Sequence, residues 1–165
     1  MCEGDYKGAV AALRKCLKAD PTFYRAHYSL GLWFHDKDPE VAEACFHQCV
    51  EADSKRTVYF VTALYSIGEL LHKQGDLVRA EAIYREVLSV DPVYFWAHFK
   101  LANLQIIKGD LVSALVWLGE CLTVNPKFAP ALNSRGFYLN KQCHKKGAEA
   151  DYRASLLAPG NYRAG

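Results

Sequence analysis

A chain of 165 residues is long enough for one domain and short for two. With 51% hydrophobic and 13% aromatic residues it is too apolar to be disordered, and a formal charge of +2 does not point to nucleic acid. No apolar run reaches the ~18 residues of a membrane span, no basic-then-apolar leader opens the chain, and the six cysteines lack the spacing of a stapled scaffold, so reduced thiols in the cytoplasm are expected.

In chain order, Gly4-Asp5-Tyr6 predicts a helix over about Tyr6 to Ala19, with Asp5 as its N-cap and Asp20-Pro21 closing it. Four helix pairs follow, over about 23–52, 58–90, 94–124 and 128–157. Their first helices carry Leu30-Gly31, Ile67-Gly68, Leu101-Ala102 and Arg135-Gly136 in turn. A small residue there lets a neighbouring helix approach. The second helices open at Asp38-Pro39, Gly75-Asp76-Leu77, Gly109-Asp110-Leu111 and Cys143-His144. Asp76 and Asp110 are natural N-caps, and Pro39 suits a first helical position. Asp36 and Asp38 read as caps in their turn. Each second helix places an alanine four residues before a larger side chain: Ala9 and Leu13, Ala42 and Phe46, Ala80 and Tyr84, Ala114 and Leu118, Ala148 and Tyr152. That spacing sets small and large residues on one face.

The turns recur at a fixed interval. Gly75 to Gly109 is 34 residues, as is Pro92 to Pro126. On this period and these motifs the chain resembles the tetratricopeptide repeat family over essentially its whole length. The resemblance implies an all-α fold: a right-handed α-α superhelical solenoid of about four and a half repeats and nine helices, one solenoid over 1–165. The partial repeat is 4–21 and the full ones are 22–53, 54–92, 93–126 and 127–160.

The departures carry expectations of their own. The second unit is one residue short between Gly31 and Ala42, and about four extra residues lie around Ser54 to Phe60. The fifth unit has Arg135 in place of a leucine and Cys143-His144 in place of Gly-Asp, so it is expected to be the least stable. Charge is uneven as well: 13 Lys and Arg face 16 Asp and Glu up to Pro126, a net of −3, whereas 7 face 2 from Lys127, a net of +5. Both ends read as uncapped, and Asn161-Tyr162-Arg163-Ala164 echoes Phe23-Tyr24-Arg25-Ala26.

The resemblance implies that first helices line a concave groove. Its lining residues would be Arg25, Tyr28, Ser29 and Leu32, then Thr62, Tyr65, Ser66, Glu69 and Lys73. The fourth unit adds Trp96, Phe99, Lys100, Asn103 and Ile107, and the fifth Asn133, Ser134, Phe137 and Lys141. Aromatics give contact area at low entropy cost, amides and hydroxyls bond a peptide backbone, and the lysines suit acidic side chains. The competing reading packs these aromatics between neighbouring first helices. A chaperone-tail clamp is not expected: Tyr28, Leu32, Ser66, Trp96 and Lys100 do not supply its paired cations and asparagines, nor do Tyr65, Glu69, Lys100, Pro130 and Ser134 one unit along.

Cys16, Cys49 and Cys121 stand where the family has a buried alanine, so packing accounts for them. Cys45, His47 and Cys49 lack the spacing of a metal site, and no metal or other cofactor is expected. Cys143 in its basic turn is either a reactive thiol or a plain exposed residue. His27 and His98 are expected in the core. There is no phosphate loop, nucleophile elbow or zinc-protease motif, so the chain is not expected to be an enzyme. The expected function is a scaffold that binds a peptide segment of a partner protein, with neither nucleic acid nor membrane as partner. The alternatives are a self-assembling solenoid, a homo-oligomer joined through its uncapped ends, and the recognition arm of a larger enzyme.

Overall fold

The computed structural model describes residues 3–158, with side chains from residue 8 onward. Among the described residues there are nine α-helices and no strand. They are α1 (Glu3–Ala19), α2 (Tyr24–Phe34), α3 (Pro39–Ala52), α4 (Val58–Lys73), α5 (Leu77–Val90), α6 (Phe95–Lys108), α7 (Leu111–Val124), α8 (Ala129–Lys141) and α9 (Lys145–Leu157). The chain forms two compact units, one ending at Asp91 and the other beginning at Pro92. In the first, α1 packs on α2, α2 on α3, α3 on α4 and α4 on α5. In the second, α6 packs on α7, α7 on α8 and α8 on α9.

The four pairs expected from the sequence are all present, their ends shifted by one residue at most. α1 begins earlier than expected, at Glu3, so Asp5 lies inside its first turn and does not precede the helix as a cap must. The echo at Asn161 to Ala164 lies outside the described residues.

Side-chain caps start the second helices. Asp38 accepts from Val41 N at 3.2 Å, Asp76 from Arg79 N at 3.0 Å and Asp110 from Ser113 N at 3.1 Å. Each satisfies one of the four amides that a helix start leaves unpaired. Gly75 and Gly109 take left-handed φ angles of 85° and 79°, which only glycine adopts without strain. Asp36 does not cap a helix. Its carboxylate is drawn instead to the neighbouring His35 at 2.9 Å and to Lys73 at the end of α4 at 3.1 Å.

The extra segment before the third unit is organised by a buried carboxylate. Asp53 is 2% exposed and accepts from Thr57 N at 3.0 Å and from the Thr57 hydroxyl. Thr57 in turn caps α4 by accepting from Tyr59 N at 3.3 Å.

The core follows the small-and-large pairing. Ala42, Phe46, Ala80, Tyr84, Ala114 and Leu118 are fully buried. A Cβ built on Gly31 would meet the Phe46 ring at 2.5 Å, and one on Gly68 the Tyr84 ring at 2.6 Å. Where the first helix carries Ala102, the second offers the smaller Leu118, and the two share one buried cluster. The fifth unit keeps the pattern more loosely. Gly136 faces Tyr152 at 3.0 Å, but that tyrosine is 37% exposed.

The unusual Arg135 has a partner on the next helix. Its guanidinium donates from Nε at 2.8 Å and from a terminal nitrogen at 2.7 Å to the two oxygens of Asp151, which is buried. These bonds raise the arginine pKa further above its already high value. The turn between α8 and α9 is less well made. Cys143 takes φ 63°, where Gly75 and Gly109 stand in the third and fourth units, and His144 provides no side-chain cap.

His27 and His98 are core residues, as expected. Each is 8% exposed and donates from Nε2 to a proline carbonyl, Pro21 at 2.8 Å and Pro92 at 3.0 Å. Cys49 and Cys121 are fully buried, which pushes each thiol pKa up to about 12. A free thiol there is a small apolar side chain.

Candidate functional site: the cleft between first helices

In the second unit, α6 and α8 enclose an open cleft of about 470 Å³. Its walls are Asn103, Ile106 and Ile107 from α6, and Asn133, Ser134, Phe137 and Tyr138 from α8. The sequence places Asn103 and Ile107 four apart, so both project from one side of α6. Asn133, Ser134 and Phe137 share a side of α8 for the same reason. Both helices lack Asp and Glu, while α6 carries Lys100 and Lys108 and α8 carries Arg135 and Lys141. Arg135 is committed to Asp151, and the Lys141 ammonium sits 4.8 Å from the Phe137 ring centroid. The cleft thus offers two amides, the Ser134 and Tyr138 hydroxyls and apolar surface, with the Lys141 cation beside Phe137.

Five residues expected from the sequence converge here: Asn103, Ile107, Asn133, Ser134 and Phe137. Ile106 and Tyr138 were not expected. Their signal is the helical spacing, three residues beyond Asn103 and four beyond Ser134.

Other members of the expected set have aromatic packing duties. Trp96 and Phe99 pack around Phe128, with ring centroids 4.8 and 5.2 Å away, and Phe95 joins them at 5.1 Å. At these two positions the rings pack against the turn that leads into α8, although Trp96 stays 38% exposed. The marker for Phe128 is the aromatic that recurs two residues after each turn proline, as Phe23 and Tyr94 also do.

In the first unit, Tyr28 lies 5.9 Å from Phe46 and 5.4 Å from Tyr59, and the Arg25 guanidinium is 5.3 Å from the Tyr59 ring centroid. Tyr59 belongs to the extra segment, which the 34-residue register does not place. Tyr65 packs 5.9 Å from Tyr84. Lys73 is held by Asp36. Ser29 and Thr62 turn their hydroxyls onto carbonyls of their own helices, each at 2.8 Å, and remain accessible. Ser66 alone of the expected set is buried: its hydroxyl bonds the Thr62 carbonyl at 2.9 Å on the core side of α4. Leu32 is exposed, and Glu69, Lys100 and Lys141 are at least partly accessible.

Among the described residues no three His, Cys, Asp or Glu side chains gather as a metal site would require. No helix there is long and apolar enough to cross a membrane.

Comparison with known proteins agrees with the repeat pattern. Two family models, both described as tetratricopeptide repeat, match residues 36–94 and 3–23. Superkiller protein 3 of Schizosaccharomyces pombe is 26% identical across 97% of this chain, which spans 12% of that protein. Cellulose synthase operon protein C of Pseudomonas fluorescens is 31% identical across 51% of this chain, which spans 7% of it. Among solved structures, PilF of Pseudomonas aeruginosa is similar with a TM-score of 0.81 and 20% identity, covering 96% of this chain and 71% of that one. MamA is similar with a TM-score of 0.76 and 23% identity, covering 94% and 90%. YrrB, described as having an unusual peptide-binding site, has a TM-score of 0.69 and 18% identity, covering 96% and 80%. The fold these solved structures share with the chain is an all-α repeat fold. With its helix pairs, its 34-residue register and its glycine-to-ring packing, this chain has the tetratricopeptide repeat fold, and it carries tetratricopeptide repeats over the two matched stretches.

Proposed function

We propose that the chain holds a peptide segment of a partner protein on its first helices, with the cleft between α6 and α8 as the anchoring point. The observation that carries this reading is the convergence of Asn103, Ile107, Asn133, Ser134 and Phe137 on one open cleft. The asparagine amides can each donate to and accept from a peptide backbone, as a strand neighbour would. Ile106, Ile107 and Phe137 offer apolar contact for one side chain of the segment. Lys100 and Lys141 favour a segment with acidic character. Trp96 adds surface on α6, and within the other unit Arg25, Tyr28, Leu32 and Tyr65 offer contact surface of their own on α2 and α4. Binding of this kind has micromolar affinity, about −8 kcal/mol. YrrB supports the reading as a protein of the same fold that binds peptide.

The test is affinity capture with the native chain and with an Asn133→Ala/Phe137→Ala variant. Both positions are exposed, so helix content by circular dichroism should match. A partner held by the native chain and lost by the variant supports the cleft. A partner held equally by both overturns it.

A further inference from the structure

A second hollow, of about 470 Å³, lies in the first unit between α1 and α2. Its lining is Val10, Ala11, Arg14, Lys15 and Lys18 on α1 and Trp33 on α2. Two features set it apart from an ordinary solvated helix face. The first is a wall of half-buried aromatic and aliphatic surface. Trp33 and Val10 are half-buried, and the Lys37 ammonium sits 3.1 Å from the Trp33 ring centroid, adding a further cation at the edge. The second is uncompensated charge. Arg14, Lys15 and Lys18 are exposed, and none forms an ion pair among the described residues. From residue 8 to 19 α1 has these three cations and no carboxylate. Residues 20–91 carry 7 Lys and Arg against 12 Asp and Glu, a net of −5. The hollow is therefore a cationic island on an acidic unit.

That contrast selects the ligand class. A polyanion such as nucleic acid spreads its charge over many ångströms and meets the acidic surroundings as well as the island. A short segment with carboxylates on either side of one apolar side chain meets only the island. We propose that this hollow binds such an acidic segment of a partner protein, its apolar side chain against Trp33 and Val10 and its carboxylates on Arg14, Lys15 and Lys18. The site shares no residue with the α6–α8 cleft and does not depend on it.

The test uses fluorescein-labelled twelve-residue probe peptides, Leu- or Phe-centred, flanked by Glu and Asp, with Gln/Asn-flanked and Lys-flanked counterparts. Fluorescence anisotropy should show saturable binding of an acidic probe, weakened by salt, and at least tenfold weaker binding of the Gln/Asn and Lys counterparts. Arg14→Glu/Lys18→Glu should weaken the acidic probe at least tenfold, while Lys127→Glu, at an exposed cation that lines neither hollow, leaves it unchanged. If charge reversal lowers helix content, Arg14→Gln/Lys18→Gln carries the same expectation. No binding of either acidic probe, or binding indifferent to these α1 substitutions, overturns the proposal. So does tighter α1-dependent binding of a single-stranded oligonucleotide or of phosphatidylserine vesicles. A mass that rises with concentration and falls in the α1 variant, without probe binding, assigns the hollow to a second copy and also overturns it.

Discussion

The ring of Tyr84 occupies the space where a side chain on Gly68 would begin, with a built Cβ only 2.6 Å from the ring edge. Tyr84 is fully buried, so the ring cannot move aside without disturbing the core. An alanine in a helix interior ordinarily stabilises by about 0.5–1 kcal/mol over glycine. At Gly68 overpacking outweighs that gain, and Gly68→Ala is expected to destabilise by about 1–3 kcal/mol. Adding Tyr84→Leu should recover part of the loss, since Ala102 with Leu118 is the combination the fourth unit uses. Gly119 has nothing within 4 Å of its built Cβ, so Gly119→Ala should stabilise by about 0.5–1 kcal/mol. Denaturant midpoints at constant slope decide all three, and a Gly68→Ala variant as stable as the native chain contradicts the packing account.

Arg135 and Asp151 form a two-point ion pair in which the carboxylate is the more buried partner, at 8% exposure against 31%. Removing the arginine alone strands a buried charge. Arg135→Leu is expected to cost about 2–3 kcal/mol, reduced from the fully buried case by the arginine's partial exposure. Arg135→Leu/Asp151→Leu should return to within about 1 kcal/mol of the native chain, because it removes the stranded charge as well. A double variant no better than the single would mean that Asp151 is held by something other than this pair.

The turn between α8 and α9 is improvable. Cys143 sits at φ 63°, and the start of α9 has no side-chain cap. Cys143→Gly should gain about 1 kcal/mol by removing a side chain from the left-handed region, and His144→Asp about 1 kcal/mol by supplying the missing cap. Amide exchange in α9 should slow in the double variant, while exchange in α3 is unchanged. Equal slowing in both helices would show a global effect and not a local one.

How far these features could be read in advance depended on whether their partners obey the repeat. Gly31 and Gly68 were visible as close-approach positions, and Phe46 and Tyr84 as large residues four after an alanine, because both recur in successive units; that each ring fills the space over a glycine of the preceding helix needed the structure. Asp76 and Asp110 were visible as caps because a cap acts on amides two or three residues away. Asp151 was not. Its meaning depends on Arg135, 16 residues earlier and on another helix, and nothing periodic links the two. The same holds for Asp36, which is bonded to Lys73 across 37 residues of chain. The cleft was half legible. Helical spacing put Asn103 beside Ile107 and Asn133 beside Phe137, but that Trp96 and Phe99 would gather around Phe128 needed the turn before α8 in three dimensions.

The cap of α7 gives the chain an acid-sensitive element. Hydrogen bonds from Ser113, first the side chain and then the backbone amide, hold the Asp110 carboxyl below its ordinary pKa of 3.8. A group whose folded pKa is depressed contributes stability that is complete above its unfolded value. That contribution is lost as pH falls from about 4 through the depressed folded value, because protonation removes the charge that the amide and the helix dipole favour. The Ser113 amide resonance should therefore titrate in that window. Asp110→Asn retains an oxygen for the cap but cannot ionise, so its Ser113 amide should stay flat across the same range. A native Ser113 amide that titrates only above pH 5 would place the controlling group elsewhere.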